Sequence, residues 1–154
     1  MEYLVRTARI TDIDRLVALS AASGAASAGA SPMDAADLLR QLVYLPQASI
    51  FVAESRREVV GGAVLALRPS VRSGGYVGTV DLLVVDPEFD TGRVTDALIE
   101  ELVRSASNKG CTVVEAGRPD DPAERTRWER KGFMDAGPLM EKQVAAVGAT
   151  ARHR

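Results

Sequence analysis

Asp81 is the lone acid in a run of Val and Leu from Thr79 to Val85. Burial among such neighbours raises a carboxyl's affinity for a proton, which makes Asp81 a candidate base. An exposed or ion-paired strand residue is the alternative. Glu115, at the end of a second apolar run, is a further candidate. Other reactive side chains are scarce. The single cysteine, Cys111, allows no internal disulfide and no cysteine-based zinc cluster, and its apolar neighbours make it a small core residue. The single histidine, His153, is the penultimate residue, which argues against a Ser-His-Asp or Cys-His catalyst in the core.

Elements must hold these residues in place. Tyr3 to Ala8 reads as a strand, followed by a helix starting near Thr11-Asp12 with Ile13, Leu16 and Val17 at helical spacing. Residues 21–31 are almost all Ala, Ser and Gly and read as a mobile connection, a candidate lid over a substrate. Leu38, Leu39, Leu42 and Val43 form a second helical stripe, stopped by Pro46. A hairpin follows, with strands at Ile50–Ala53 and Val59–Leu67; Gly61-Gly62 within it suggests a bulge or a close backbone approach. Pro69 to Gly75 reads as a loop and Tyr76 to Val85 as a long strand ended by Asp86-Pro87. Then come a helix over Thr91–Ser107 closed by Lys109-Gly110, a strand at Cys111–Glu115, and a helix capped by Asp121-Pro122 that ends at Lys131-Gly132. One or two last strands are expected between Phe133 and Val144, with 145–154 a frayed tail. The order predicts one α/β (α+β) domain over residues 1–144: a mixed sheet with helices on both faces.

The chain has 154 residues, 46% hydrophobic and 26% charged, which suits one globular domain. A net charge of -2 gives no global reason to expect nucleic acid as a partner. No apolar run is long enough to span a bilayer, and the charged N-terminus MEYLVRTARITD lacks a signal-peptide core, so a cytoplasmic protein without membrane contact is expected.

Four segments in this order resemble the GNAT superfamily of acyl-CoA-dependent N-acetyltransferases: VRTARITDIDRL, FVAESRREVVGGAVL, VDLLVVDPEFDTGRVTDALIEELV and DPAERTRWERKGFMDAG. The resemblance covers roughly residues 3–144. It implies a mixed, mostly antiparallel sheet of six to seven strands with about four helices, whose central parallel strands splay apart. It also implies that the pantetheine arm of acetyl-CoA pairs with the backbone of Leu83, Val84 and Val85. The diphosphate would sit at the start of the next helix, on Gly92, Arg93, Val94 and Thr95, where unpaired amides and the helix dipole favour an anion. Asp81 would take the proton of the acceptor amine.

The sequence departs from the family pattern in that loop. Asp90 stands where Arg or Gln is usual, Arg93 where the first Gly is, and Thr95 where a Gly or Ala is. Gly92 could serve for the missing glycine after a one-residue shift, Arg93 could fold over the phosphates, and Thr95 could donate a hydroxyl or cap the helix. Glu88, Asp90 and Asp96 crowd the turn with like charge. Trp128 holds the place of a tyrosine that donates to the leaving thiolate, and would pack on the pantetheine arm or in the core. Asp121 replaces an Asn near that arm. The remaining charges of this helix, Glu124, Arg125, Arg127, Glu129, Arg130 and Lys131, read as a solvated face, or as a basic surplus for a 3′-phosphate or an acidic partner.

The function expected from the resemblance is transfer of an acetyl group from acetyl-CoA to a primary amine on a small molecule or a protein. The alternative is a degenerate binding or regulatory protein of the same fold. A homodimer through exposed strand edges is left open.

Overall fold

In a computed structural model, which describes residues 2–23, 34–137 and 139–144, five strands form one sheet in the order β1-β2-β3-β4-β5. The strands are β1 (Leu4–Thr7), β2 (Ala48–Ser55), β3 (Glu58–Ser70), β4 (Gly75–Val85) and β5 (Cys111–Ala116). The first four pair antiparallel, and β5 runs parallel to β4. The helices are α1 (Ile13–Ser23), α2 (Ala35–Val43), α3 (Thr91–Asn108) and α4 (Pro122–Arg130).

Strand alternation divides the core into two layers. Ile50, Val52 and Val64 face α1 and α2, where Ile13, Leu16 and Leu39 are buried. Phe51, Ala53, Ala63 and Leu65 face α3, where Val94, Leu98, Leu102 and Ala106 recur at helical spacing. Both faces of the central strands are thus covered.

The glycines in β3 are a close approach and not the bulge itself. Gly61 and Gly62 pair regularly with Ala53 and Val52; the register shifts beside them, leaving Val60 as the extra residue. A Cβ on Gly62 would lie 2.2 Å from Leu16 Cδ2, and one on Gly61 would lie 2.9 Å from both the Val84 carbonyl oxygen and Val94 Cγ1. Only glycine lets α1 and α3 come this near to the sheet.

Several expected boundaries move. The hairpin between β3 and β4 is tighter than the loop expected over Pro69–Gly75, because Pro69 already pairs with Tyr76 and Ser70 with Gly75. The six to seven strands expected become five, since no described residue of 133–144 is in a strand. A strand needs a partner ladder as well as local propensity. Here β5 stays the outer edge, Gly137 takes a positive φ of 96°, and Met134, Leu139 and Met140 are all exposed. Residues 24–33, most of the expected lid, and the expected tail 145–154 lie outside the described residues.

The β1–α1 connection is tied by charge. Asp12 accepts from the Arg9 amide at 2.7 Å and from Arg6 Nη1 at 2.8 Å, while Arg6 Nε also reaches Glu54 at 3.1 Å. The Arg6 guanidinium, with the Arg9 amide adding to it, holds the Asp12 carboxyl below the usual carboxylate range. A depressed native value means the group stabilises the fold above the unfolded carboxyl pKa of about 3.9, and that this contribution fades as pH falls through the native value. Asp12→Asn should therefore lower stability by about 2 kcal/mol at neutral pH. The deficit should shrink in acid below about pH 4, where the wild type loses the same contribution. Urea unfolding at pH 7 and pH 3 checks both, and an equal deficit at the two values would refute the account.

Candidate active site

The site lies where β4 and β5 part. Their pairing ends at Val80 with Ala116, while β4 continues from Asp81 to Val85 alongside β3 alone. At about 3.3 Å per residue, that free edge is about 16 Å long. The parting coincides with a bulge. Val64 pairs with Leu82 and Leu65 with Val80, so Asp81 is the extra residue. The bulge resets the side-chain order, and Val80, Leu83 and Val85 all pack against the α3 layer while Leu82 packs against α1 and α2.

Asp81 is exposed, which corrects the expectation that its Val and Leu neighbours bury it. The bulge leaves it without a cross-strand partner, and no side chain among the described residues bonds or pairs with it. Glu115 is held instead by Arg68 at 3.2 Å. Of the two candidate bases, Asp81 is the unencumbered one. Cys111 is half-buried and burial pushes its thiol up, which keeps it protonated and fits a core role.

The turn from β4 to α3 is organised by Asp86. Pro87 has no N–H to continue the ladder. Asp86 accepts from the Glu88 amide at 2.9 Å and from Arg15 Nη2 at 2.7 Å, and its own amide bonds the Val60 carbonyl at 2.8 Å. The Glu88 amide, then the Arg15 guanidinium, hold the Asp86 carboxyl below its ordinary range. Arg15 also bonds the Val59 carbonyl at 3.0 Å, so α1 braces this turn.

At the start of α3, Asp90 is the N-cap and its carboxylate accepts from the Arg93 amide at 3.2 Å. Capping therefore belongs to Asp90 and not to Thr95, which is buried in the second turn. Val94 gives its amide to the Asp90 carbonyl at 3.0 Å and its side chain to the core. The Thr91 and Gly92 amides precede the helix's own hydrogen bonding and are left for other partners. The Arg93 side chain is exposed beside them. Leu83, Val84 and Val85 point their side chains into the core layers and offer only backbone to the parting.

Across the gap, α4 starts at Asp121, whose carboxylate caps the Glu124 amide at 3.3 Å. Trp128 is half-buried and meets Phe133 edge-on, with ring centroids 4.9 Å apart. Sequence reasoning also misplaces Arg127. Its guanidinium does not lie on a solvated face; Nη1 bonds the Gly92 carbonyl at 3.1 Å and Asp96 at 3.0 Å. One turn on, Lys131 reaches Glu100 at 2.7 Å. The matching i, i+4 spacing of Asp96 and Glu100 with Arg127 and Lys131 is visible in the sequence, but nothing local says that the two helices face each other.

A separate hollow of about 530 Å³ lies at the far end of α3, lined by Tyr44, Ser49, Phe51, Arg104 and Lys109. α3 is about 27 Å long, so this hollow is remote from the parted strands. Among the described residues no helix is long and apolar enough to cross a membrane, and no group of three or more His, Cys, Asp or Glu could hold a metal.

The sequence matches the acetyltransferase (GNAT) family over residues 13–133. No curated protein sequence matches it. Among solved structures, an acetyltransferase from Trypanosoma brucei is 22% identical with a TM-score of 0.70, covering 93% of this chain and 100% of that one. An integron cassette protein from a salt-marsh metagenome is 27% identical with a TM-score of 0.76, covering 92% of this chain and 90% of that one. Glucosamine-6-phosphate N-acetyltransferase from Arabidopsis thaliana is 16% identical with a TM-score of 0.73, covering 94% and 100%.

Proposed function

As the chain belongs to the GNAT acetyltransferase family, we propose that it transfers an acetyl group from acetyl-CoA to a primary amine by direct attack. The observation that carries this reading is the free edge of β4 from Asp81 to Val85, which runs from an unpartnered acid to the first turn of α3.

The residues suit such a donor. The backbone of Leu83, Val84 and Val85 can pair with an amide-bearing pantetheine arm as a missing strand would. The Thr91 and Gly92 amides, with Arg93 beside them, can hold phosphate oxygens at the positive end of the helix. Val94 and Thr95 shape that turn from below. Asp121 and Trp128 bound the gap on the α4 side, and the Trp128 ring offers a flat apolar wall.

Acetyl-CoA supplies the acyl group as a thioester; the new C–N bond forms as the C–S bond breaks. Asp81 takes the proton of the incoming ammonium, directly or through one water, so that the nitrogen lone pair is free to attack. A backbone N–H of β4 stabilises the oxyanion. Trp128 can donate a hydrogen bond to the departing sulfur but cannot surrender its proton, so the second proton of the attacking nitrogen reaches the thiolate through water. The acceptor is an amine on a small molecule or a protein.

Calorimetric titration with acetyl-CoA and with CoA tests the donor. Micromolar affinity for both is expected, followed by turnover with an amine acceptor. Absence of binding at millimolar ligand would overturn the reading. It would leave a binding protein of this fold, in which Asp90, Arg93 and Trp128 mark a lost site.

A further inference from the structure

We propose that Arg127 is the gate of the donor site: in the free protein its guanidinium closes the gap between α3 and α4 on Asp96 and the Gly92 carbonyl, and the diphosphate of the bound donor takes it from them. This rests on the donor reading above.

The seam between the two helices is built to open. α4 buries no side chain fully. It is held to α3 by Arg127 on Asp96 and Lys131 on Glu100, with Arg127 and Lys131 both about a quarter exposed. Part-exposed ion pairs of this kind hold weakly against water. An arriving ligand can displace them, whereas an apolar seam would resist.

Arg127 also stands where phosphate must come. A Cβ on Gly92 would lie 2.7 Å from its Nη2, so the guanidinium rests directly on the backbone of the first turn of α3. The two uncommitted amides of that turn belong to Thr91 and Gly92. The guanidinium thus lies against the same turn that carries the free amides, where the Asp96 carboxylate and the Gly92 carbonyl answer it.

Among the described residues Arg127 Nε makes no hydrogen bond; Glu124 faces it at an ion-pair distance of 3.6 Å. Turning the fork toward a phosphate would give this nitrogen the hydrogen bond it lacks. Guanidinium matches phosphate oxygens in bidentate fashion. The same step supplies positive charge where Asp90 and Asp96 would otherwise repel a diphosphate. Asp96 is then the competitor, and its strength sets how readily the donor enters.

The experiment is calorimetric affinity of the wild type, Arg127→Ala and Asp96→Asn for CoA, for dephospho-CoA and for S-acetylpantetheine, which lacks the diphosphate. Thermal melts establish that each variant folds. Arg127→Ala should weaken CoA and dephospho-CoA alike by more than tenfold and leave S-acetylpantetheine unchanged. Asp96→Asn should tighten CoA severalfold, because the guanidinium no longer has to leave a carboxylate. Loss of all three ligands together would make Arg127 a purely structural residue and overturn the proposal. So would a wild type that binds CoA with both variants unaltered. A wild type that binds none of the three would refute the donor reading itself, and the gate with it.

Discussion

Asp81→Asn should lower turnover at neutral pH about a hundredfold, the low end of what a positioned base contributes, while acetyl-CoA affinity stays unchanged. Asparagine keeps the shape of the side chain at the bulge but cannot accept the ammonium proton. The deficit should therefore close as pH rises toward the pKa of the acceptor, about 10.4 for a lysine-like amine, where the nucleophile loses its proton unaided. Asp81 suits this role because β4 carries it as an extra residue at the point where β5 departs, exposed and without a side-chain partner among the described residues. Glu115, paired with Arg68, is the less available acid, so Glu115→Gln should change turnover little. A wild-type rate for Asp81→Asn at neutral pH would remove Asp81 from the mechanism. Equal losses in rate and donor affinity would make it a structural residue of the bulge.

Gly62→Ala should be the most damaging glycine-to-alanine change among the described residues. The new Cβ would sit 2.2 Å from Leu16 Cδ2 and 3.1 Å from the Phe51 carbonyl oxygen. Leu16 is itself 1% exposed and wedged between α1 and the sheet, so it has nowhere to turn. Overpacking at such a point costs about 3 kcal/mol, which for a domain of this size is a fall of about 10 °C in Tm. Gly117→Ala is the control, since nothing lies within 4 Å of its added Cβ. Thermal melts of the two should differ widely, and a Gly62→Ala variant that melts with the wild type would show that α1 can yield.

Much of the fold is legible along the chain because its signals act within a few residues. Asp90 and Asp121 are short acceptors ahead of helical stripes, and both cap the helices that follow. Gly110 and Gly132 adopt positive φ just past α3 and α4. Ile50 to Ala53 is an unbroken apolar run, as suits a strand covered on both faces, and the structure fills them with α1 and α2 on one side and α3 on the other. The site is less legible. The bulge falls at Asp81 because of how β4 meets β3, and the same registration exposes a residue whose neighbours suggest burial. The last strands fail for the same kind of reason: propensity in 133–144 finds no ladder.

Spacing and residue type along the chain fix the order of the five strands and four helices, the cap of α4 at Asp121, and the family. Each is written in spacing or in residue type near at hand. Packing alone set the parting of β4 and β5 after Val80, the exposure of Asp81 with no side-chain partner among the described residues, and the seat of Arg127 on Gly92. Arg127 and Asp96 are 31 residues apart in the chain, and a charge reads as solvated until the fold shows what faces it. Local sequence sets local geometry, but the partner of a side chain is a property of the packed whole.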